Sequence, residues 1–235
     1  MKTLVNQEGN SNTYDLSTLK NEGKIYVMDN HMAAAWCWGQ KIDFNHSYNF
    51  LHIDKHYDLL EGGTDLKVQT IIDSQFNIQN STIEQYCSLT HPRAHQNGKE
   101  QVFRFDNYMT ILQKLYPSLF NKKKFATHKD GTVARNWDFY EIQVIDLPTE
   151  NISYWIRDDE LNWIVNIDID YFFTKNSNDD YFQFLNDDYI ICFAKQIKLA
   201  MDKIEVITIA LSPSFCGGLD KANRVSEIIL KELRN

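Results

Sequence analysis

Apolar and polar positions alternate between two periods along this chain, and the switches between them divide it into strands and helices. Tyr48-Asn49-Phe50-Leu51-His52-Ile53-Asp54 alternates as a β-strand does, whereas Trp163-Ile164-Val165-Asn166-Ile167 is almost continuously apolar, the pattern of a strand buried on both faces. Ile25-Tyr26-Val27-Met28 reads as a short strand, and further strands are expected at Tyr140 to Leu147, Trp163 to Asp170 and Val206 to Ser212. Helical spacing predicts helices over Met32 to Lys41, Asp106 to Tyr116, Tyr181 to Lys203 and Leu219 to Leu233. Such alternation is the signature of an α/β domain with a mainly parallel sheet covered on both faces. The 235 residues suit one domain, 1–235, without repeats or linkers. Its first 22 residues read as an edge hairpin or a loose arm.

The strand ends carry the candidate chemistry. Asp54-Lys55-His56-Tyr57-Asp58 follows one apolar run, and Asp168-Ile169-Asp170 closes another. With a period of two, Asp54 and His56 share a side while the chain stays extended, and so do Asp168 and Asp170. Ionised carboxylates at the end of a buried strand carry a desolvation cost that a bound cation relieves. His31 belongs with them, because it sits where the strand Ile25 to Met28 passes through Asp29-Asn30 into a helix-forming run. Ligands of open parallel sheets bind beyond the carboxyl ends of the strands, where all three segments place polar groups. Two His and four Asp suit a pair of Mn²⁺ ions better than a structural zinc site. Two such ions lower the pKa of water enough to make a nucleophile, which points to hydrolysis.

The order His31, then Asp54-x-His56-x-Asp58, then Asp168-x-Asp170 resembles the ureohydrolases, the arginase and agmatinase group. The interval from His31 to Asp54 is similar to that of arginases, and Leu211-Ser212-Pro213-Ser214-Phe215-Cys216-Gly217-Gly218-Leu219 is similar to the late segment that closes their active site. Asp29-Asn30-His31, His52 to Asp58, Asn166 to Asp170 and Ser212 to Gly218 together resemble most an arginase-related family that includes peptide arginases. The resemblance implies a three-layer α/β/α arginase-like fold and a binuclear manganese centre. It implies that Asp54 and Asp168 bridge the ions, His31 and Asp58 complete one, and His56 and Asp170 the other. The implied activity is attack of a metal-bridging hydroxide on the guanidinium carbon of an arginine in a ribosomally made precursor peptide, giving ornithine and urea.

Two positions depart from the arginase pattern. Where small-molecule arginases carry a Glu that pairs with the guanidinium, this chain reads Asp220-Lys221-Ala222, so Asp220 is the candidate substrate carboxylate, with helix capping as its ordinary alternative. No His follows Asp58 closely. The proton-shuttle candidates are therefore His91 and His95, in a loop rich in Pro and Gly, where a solvated His is the plainer reading. His52 faces the same side as Asp54 and is expected either to hydrogen-bond a ligand or to lie in the core. His46 and His128 look like turn residues.

A net charge of −8 argues against nucleic acid as a partner and would attract an arginine-bearing peptide. Lys122-Lys123-Lys124 reads as a solvated helix end or loop. The four Cys, at 37, 87, 192 and 216, show no metal spacing, and the N-terminus lacks a signal-peptide core, so a cytoplasmic protein with free thiols is expected. Cys216 has no paired base and is expected to pack beside the site. No apolar run is long enough to span a bilayer. Trp36 and Trp38 are candidates for lining a peptide groove, though core packing is their commoner use. Other readings are a ureohydrolase acting on free arginine, agmatine or another small guanidino compound, a metal-containing peptide-binding module without catalysis, and a single-zinc deacetylase of related fold.

Overall fold

The computed structural model describes residues 1–7, 15–93 and 98–234. Its strands are β1 Lys2–Asn6, β2 Thr18–Glu22, β3 Ile25–Met28, β4 Tyr48–Ile53, β5 Thr90–Pro92, β6 Lys99–Gln101, β7 Phe120–Ala126, β8 Tyr140–Glu141, β9 Trp163–Asp168, β10 Phe173–Lys175, β11 Tyr181–Gln183 and β12 Ile204–Ala210. The helices are α1 Ala34–Gly39, α2 Thr64–Asp73, α3 Ile83–Ser88, α4 Tyr108–Leu115, α5 Asn151–Arg157, α6 Asp187–Leu199, α7 Pro213–Cys216 and α8 Leu219–Arg234.

Eight strands form one sheet in the order β1, β2, β3, β12, β9, β4, β7, β8. From β3 to β8 every pairing is parallel, and β1 and β2 add an antiparallel edge. The N-terminal segment is thus an edge hairpin, although Glu8 to Asn12 lie outside the described residues. Two hairpins, β5 with β6 and β10 with β11, stand apart from the sheet.

Side-chain alternation sends the central strands into two separate cores. Tyr26, Met28, Phe50, Ile164 and Val206 join one cluster with α1 and α4. Ile25, Val27, Leu51, Ile53, Val165, Ile167, Ile207 and Ile209 join the other with α5, α6 and α8. Burial on both faces is why these strands read as nearly unbroken apolar runs.

Several boundaries differ from the sequence expectation. The helix expected from Tyr181 begins only at Asp187, because Asn186 caps it by accepting from the Tyr189 backbone N–H and Tyr181 to Gln183 pair with β10 instead. The strand expected from Tyr140 to Leu147 is paired over two residues only. After the Ile142 N–H bonds the Phe125 carbonyl, the chain turns, with Asp146 N–H donating to the Gln143 carbonyl. Lys122 to Lys124 lie in β7 rather than in a loop or helix end. They are tolerated there because β7 has only a two-residue partner on its outer side, and Lys124 lies over the rings of Tyr140 and Trp155 at 4.6 and 4.4 Å. Trp36 and Trp38 are both buried in the core. Among the described residues no helix is long and apolar enough to cross a membrane.

Candidate metal centre

Three strand ends deliver the acidic and imidazole groups, each through a local device written in its own sequence. At the end of β3, the Asp29 carboxylate accepts from the Ser17 and Thr18 backbone amides, tying the turn to β2. The Asn30 side chain caps the following turn through Met32 N–H, so His31 starts a short 3-10 turn that leads into α1. At the end of β4 the extended chain stops at Ile53, and Asp54 Oδ1 accepts the His56 backbone N–H at 2.6 Å. At the end of β9, Asp168 Oδ1 accepts the Asp170 backbone N–H at 3.0 Å. Strand alternation is therefore not what brings Asp54 to His56 or Asp168 to Asp170. Each pair converges through a turn closed by the first Asp side chain, a conformation that Asp favours. Asp58 takes a left-handed backbone conformation at φ 52°, which Asp also tolerates better than most residues.

The result is two adjoining ligand groups, His31 with Asp54 and Asp168, and Asp54 with His56 and Asp170. Asp54 belongs to both. His31 Nδ1 lies 3.2, 3.1 and 3.2 Å from carboxylate oxygens of Asp54, Asp58 and Asp168. His56 Nδ1 lies 3.4 Å from Asp54 Oδ1 and 3.0 Å from Asp170 Oδ2. The Lys55 backbone N–H donates to Asp170 Oδ1 and fastens the two acidic segments together. His56 is partly open and the other five groups are buried.

This arrangement fits a cation better than it fits a hydrogen-bonded cluster. His31 Nδ1, Asp54 Oδ2 and Asp170 Oδ2 are buried without a properly directed hydrogen-bond partner. Three acceptors crowded on one imidazole nitrogen cannot all share its single proton. Electrostatics give the same answer. Burial and the neighbouring Asp54 push the Asp58 carboxyl up to about 8, and burial with Asp168 and Asp54 raises Asp170 well above the carboxylate range. Burial alone would raise Asp54 as well, but His31 and His56 hold it down. Against the cost of burial, Asp170 and Asp54 lift His56 to about 12, and Tyr108 with the surrounding carboxylates lifts His31. Without a cation the fold retains protons on groups that would otherwise lose them, because so many like charges cannot ionise together. The donor set, oxygen-rich with two imidazoles, suits divalent ions of the manganese type.

Beneath these groups runs a row of buried polar side chains. Thr208 on β12, Asn166 on β9 and His52 on β4 are neighbours across the ladder and are 0% exposed. Asn166 Oδ1 lies 2.9 Å from His31 Nε2 and accepts from Thr208 Oγ1 at 2.6 Å. Asn166 Nδ2 faces His52 Nδ1 at 3.0 Å and the Tyr108 hydroxyl at 2.8 Å. Burial depresses His52 to about 4, so it is neutral at ordinary pH. Above the row, Ser212 Oγ donates to Asp168 Oδ2 at 2.5 Å from a left-handed backbone conformation, φ 40°.

A cleft opens onto the centre, lined by His31, His56, Asp58, Asp168 and Asp170 together with Asp29, Ser212 and the rings of Phe105 and Phe215. Asp220 does not line it; it is exposed in the first turn of α8, inside the helix rather than capping it, where its charge complements the helix dipole. His91 does not line it either. It sits on the β5–β6 hairpin with Nδ1 2.6 Å from Thr70 Oγ1. His95 lies outside the described residues. His46 is exposed beside Asp43, and His128 is partly buried against Tyr171 and Phe184. Cys216 is buried, donating to the Leu211 carbonyl, with its thiol pushed up by burial and by Asp170. Neither tryptophan lines the cleft: Trp36 Nε1 donates to the Ser81 carbonyl and Trp38 Nε1 to Thr208 Oγ1. Sequence reasoning misses the roles of Thr208, Tyr108 and Phe105 and assigns none to Asn166 or Ser212. Asn166 carries a signal as an amide inside an apolar strand, and Ser212 as part of the segment that resembles the one closing arginase active sites. Compared with known proteins, the chain matches no family model and no curated relative.

Proposed function

We propose that the chain is a binuclear manganese hydrolase that converts the arginine side chain of a ribosomally made precursor peptide to ornithine, releasing urea. One observation carries the reading: two ligand groups that share Asp54, buried at the carboxyl ends of three neighbouring or near-neighbouring strands. A shared carboxylate between two groups is the arrangement a binuclear centre requires, and it favours this reading over a deacetylase with a single zinc. His31, Asp54, Asp58 and Asp168 would hold one ion, and Asp54, His56, Asp168 and Asp170 the other. The two sheet-face cores support the three-layer architecture that the sequence resemblance implies.

A bound pair of ions supplies Lewis acidity, making water nucleophilic near neutral pH. The chain supplies the rest. Phe105 and Phe215 give the cleft aromatic walls, whose ring faces attract a guanidinium. Ser212 and the Asp170 turn fix the carboxylates in position, so little reorganisation is needed when substrate enters. Burial of the acidic groups keeps competing water out of the floor of the cleft. In the overall reaction water adds to the guanidinium carbon, the bond from that carbon to the side-chain nitrogen breaks, and the nitrogen leaves protonated as the ornithine amine.

The test is urea release by protein loaded with Mn²⁺, comparing an arginine-containing peptide with free arginine and agmatine. Urea from the peptide alone supports the proposal. Urea from free arginine or agmatine alone replaces it with a small-molecule ureohydrolase, and urea from none of them, with manganese bound, leaves a metal-containing binding module.

A further inference from the structure

A second cleft adjoins the metal centre. It shares His56, Asp58 and Phe105 with the first and is completed by Leu59, Leu60, Asp106, Gly131 and Thr132, none of which lines the first. Phe105 is thus a wall common to both. Three chain segments meet here, and backbone hydrogen bonds lock them to one another: Leu60 N–H donates to the Asp106 carbonyl at 2.8 Å and Tyr57 N–H to the Asp130 carbonyl at 3.0 Å. The turn that carries Phe105 is closed from within. Arg104 N–H donates to Asn107 Oδ1 at 2.8 Å, and Nδ2 of the buried Asn107 donates to the Val102 carbonyl at 3.1 Å. Walls fixed in this way lose little freedom when the space between them is filled, which is what separates a binding subsite from a passing crevice.

The polar side chains of this lining are already engaged. His56 and Asp58 belong to the proposed ions, and Asp106 Oδ2 accepts from the Arg104 guanidinium at 2.8 Å. Leu59, Leu60 and Phe105 remain, while Gly131, which has no side chain, and the short Thr132 leave the space between them unfilled. Such a lining takes an uncharged, apolar side chain. It disfavours a carboxylate, because no Lys or Arg lines the cleft and Asp58 and Asp106 do. The rim also offers main-chain groups: among the described residues, the backbone N–H and C=O of Gly131, Thr132 and Val133 make no hydrogen bond, so they can pair with an extended peptide. We propose that the second cleft is the subsite for a residue bonded directly to the target arginine, and that it selects an apolar side chain there, with Phe105 as the specificity-determining wall. The proposal rests on the precursor-peptide reading and gives it the means of choosing one arginine from among others. Consecutive Cα atoms of a peptide are about 3.8 Å apart, so an arginine seated in the first cleft has its neighbour within a side chain's breadth of the shared wall.

The test uses two series of blocked dipeptides, acetyl-X-Arg-methylamide and acetyl-Arg-X-methylamide, with X as Gly, Leu, Phe or Asp, and reads kcat/KM for urea release by Mn²⁺-loaded protein. In one of the two series Leu and Phe are expected to exceed Gly by about tenfold and Asp to fall below Gly. Independence from X in both series would overturn the subsite. Thr132→Trp places an indole in the cleft from an exposed position and, once shown to be folded by circular dichroism, is expected to shrink the Leu-to-Gly ratio to about twofold or less. A ratio as large as that of the wild type would put the flanking residue elsewhere and overturn the assignment. If the Trp variant does not fold, Thr132→Leu takes its place under the same criterion. If no peptide yields urea, the hydrolase reading fails by itself, and calorimetric titration of the same peptides into the Mn²⁺-loaded protein decides the subsite: a Leu preference that Thr132→Trp removes supports it, and equal affinities or no binding overturn it.

Discussion

Ser212 combines a strained backbone with a charged hydrogen bond, and two substitutions separate the two. Its φ of 40° lies in the left-handed region, which costs a residue with a Cβ about 1–2 kcal/mol relative to glycine. Its hydroxyl donates to Asp168 Oδ2 at 2.5 Å. A hydrogen bond to a charged group is worth about 1.5–3 kcal/mol, and this one, being partly open to solvent, belongs near the lower end. Ser212→Ala keeps the strain and loses the bond, so it should destabilise the fold by about 1.5 kcal/mol. Ser212→Gly loses the same bond but relieves about 1 kcal/mol of strain, so its net loss should be about 0.5 kcal/mol. In Mn²⁺ affinity the two should be equally impaired, by about tenfold, because both lose the hydroxyl that holds Asp168 Oδ2. Urea denaturation gives the first pair of numbers and calorimetric titration the second. A Ser212→Ala variant as stable as wild type with unchanged Mn²⁺ affinity would refute the role of the hydroxyl. Unequal affinities would show that the turn, and not the bond, places Asp168.

Asp54→Asn takes a ligand from both groups and Asp58→Asn one proposed ligand of the ion beside His31, so elemental analysis after Mn²⁺ loading and desalting should find the first variant more depleted than the second; equal retention would remove Asp54 from its shared position. Asp58 offers a pH prediction: its metal-free carboxyl is pushed up to about 8 from an ordinary 3.8, so the native state keeps a proton that the unfolded state has lost. This group therefore makes the metal-free protein less stable as pH rises from about 4 towards 8; His52, depressed to about 4, opposes it up to about 6.5, and His56 adds loss above 6.5, so the net fall should show above about 6.5. Mn²⁺ must displace that proton and the one on His56, so its affinity should rise across the same window and go on rising above 8; melting temperatures and titrations at about pH 6, 7, 8 and 9 that show no such trend would contradict it. Asp220→Ala and His91→Ala should leave the rate of urea release within about twofold, since neither residue lines the cleft, and a loss of about a hundredfold in either would return it to the site.

Much of this is legible from residue order alone, for physical reasons that can be named. Trp163 to Ile167 is so apolar that only a strand buried on both faces accommodates it, and the sheet and its polarity follow. The six candidate ligands are visible because carboxylates at the end of such a strand have few other uses. The means of their convergence is not visible: a period of two implies extended geometry for Asp54 to His56 and Asp168 to Asp170, whereas Asp side chains bend both segments into turns. Tyr181 to Gln183 reads as helix because its apolar residues also fit a helical spacing, and only the Asn186 cap shows where the helix begins. Asp220 and His91 are candidates by distance along the chain, which says little about distance in space. Tyr108 and Thr208 give no sign at all, because a buried hydroxyl on an otherwise apolar element looks like ordinary packing.

Strand β12 lies between β3 and β9, so Ile207 pairs with Ile25 on one side and Val165 on the other. It is the last strand along the described residues, and it occupies the middle of the sheet. During translation β3 therefore emerges long before its parallel neighbour exists, and its own outer hairpin is all that shelters it. Until β12 fills that gap, the sheet cannot hold His31, at the end of β3, beside the carboxylates at the ends of β4 and β9. Long-range parallel pairing of this kind folds slowly and leaves strand edges exposed meanwhile. Nascent chains stopped short of Ile204 should thus be the stage at which chaperones hold this protein most firmly.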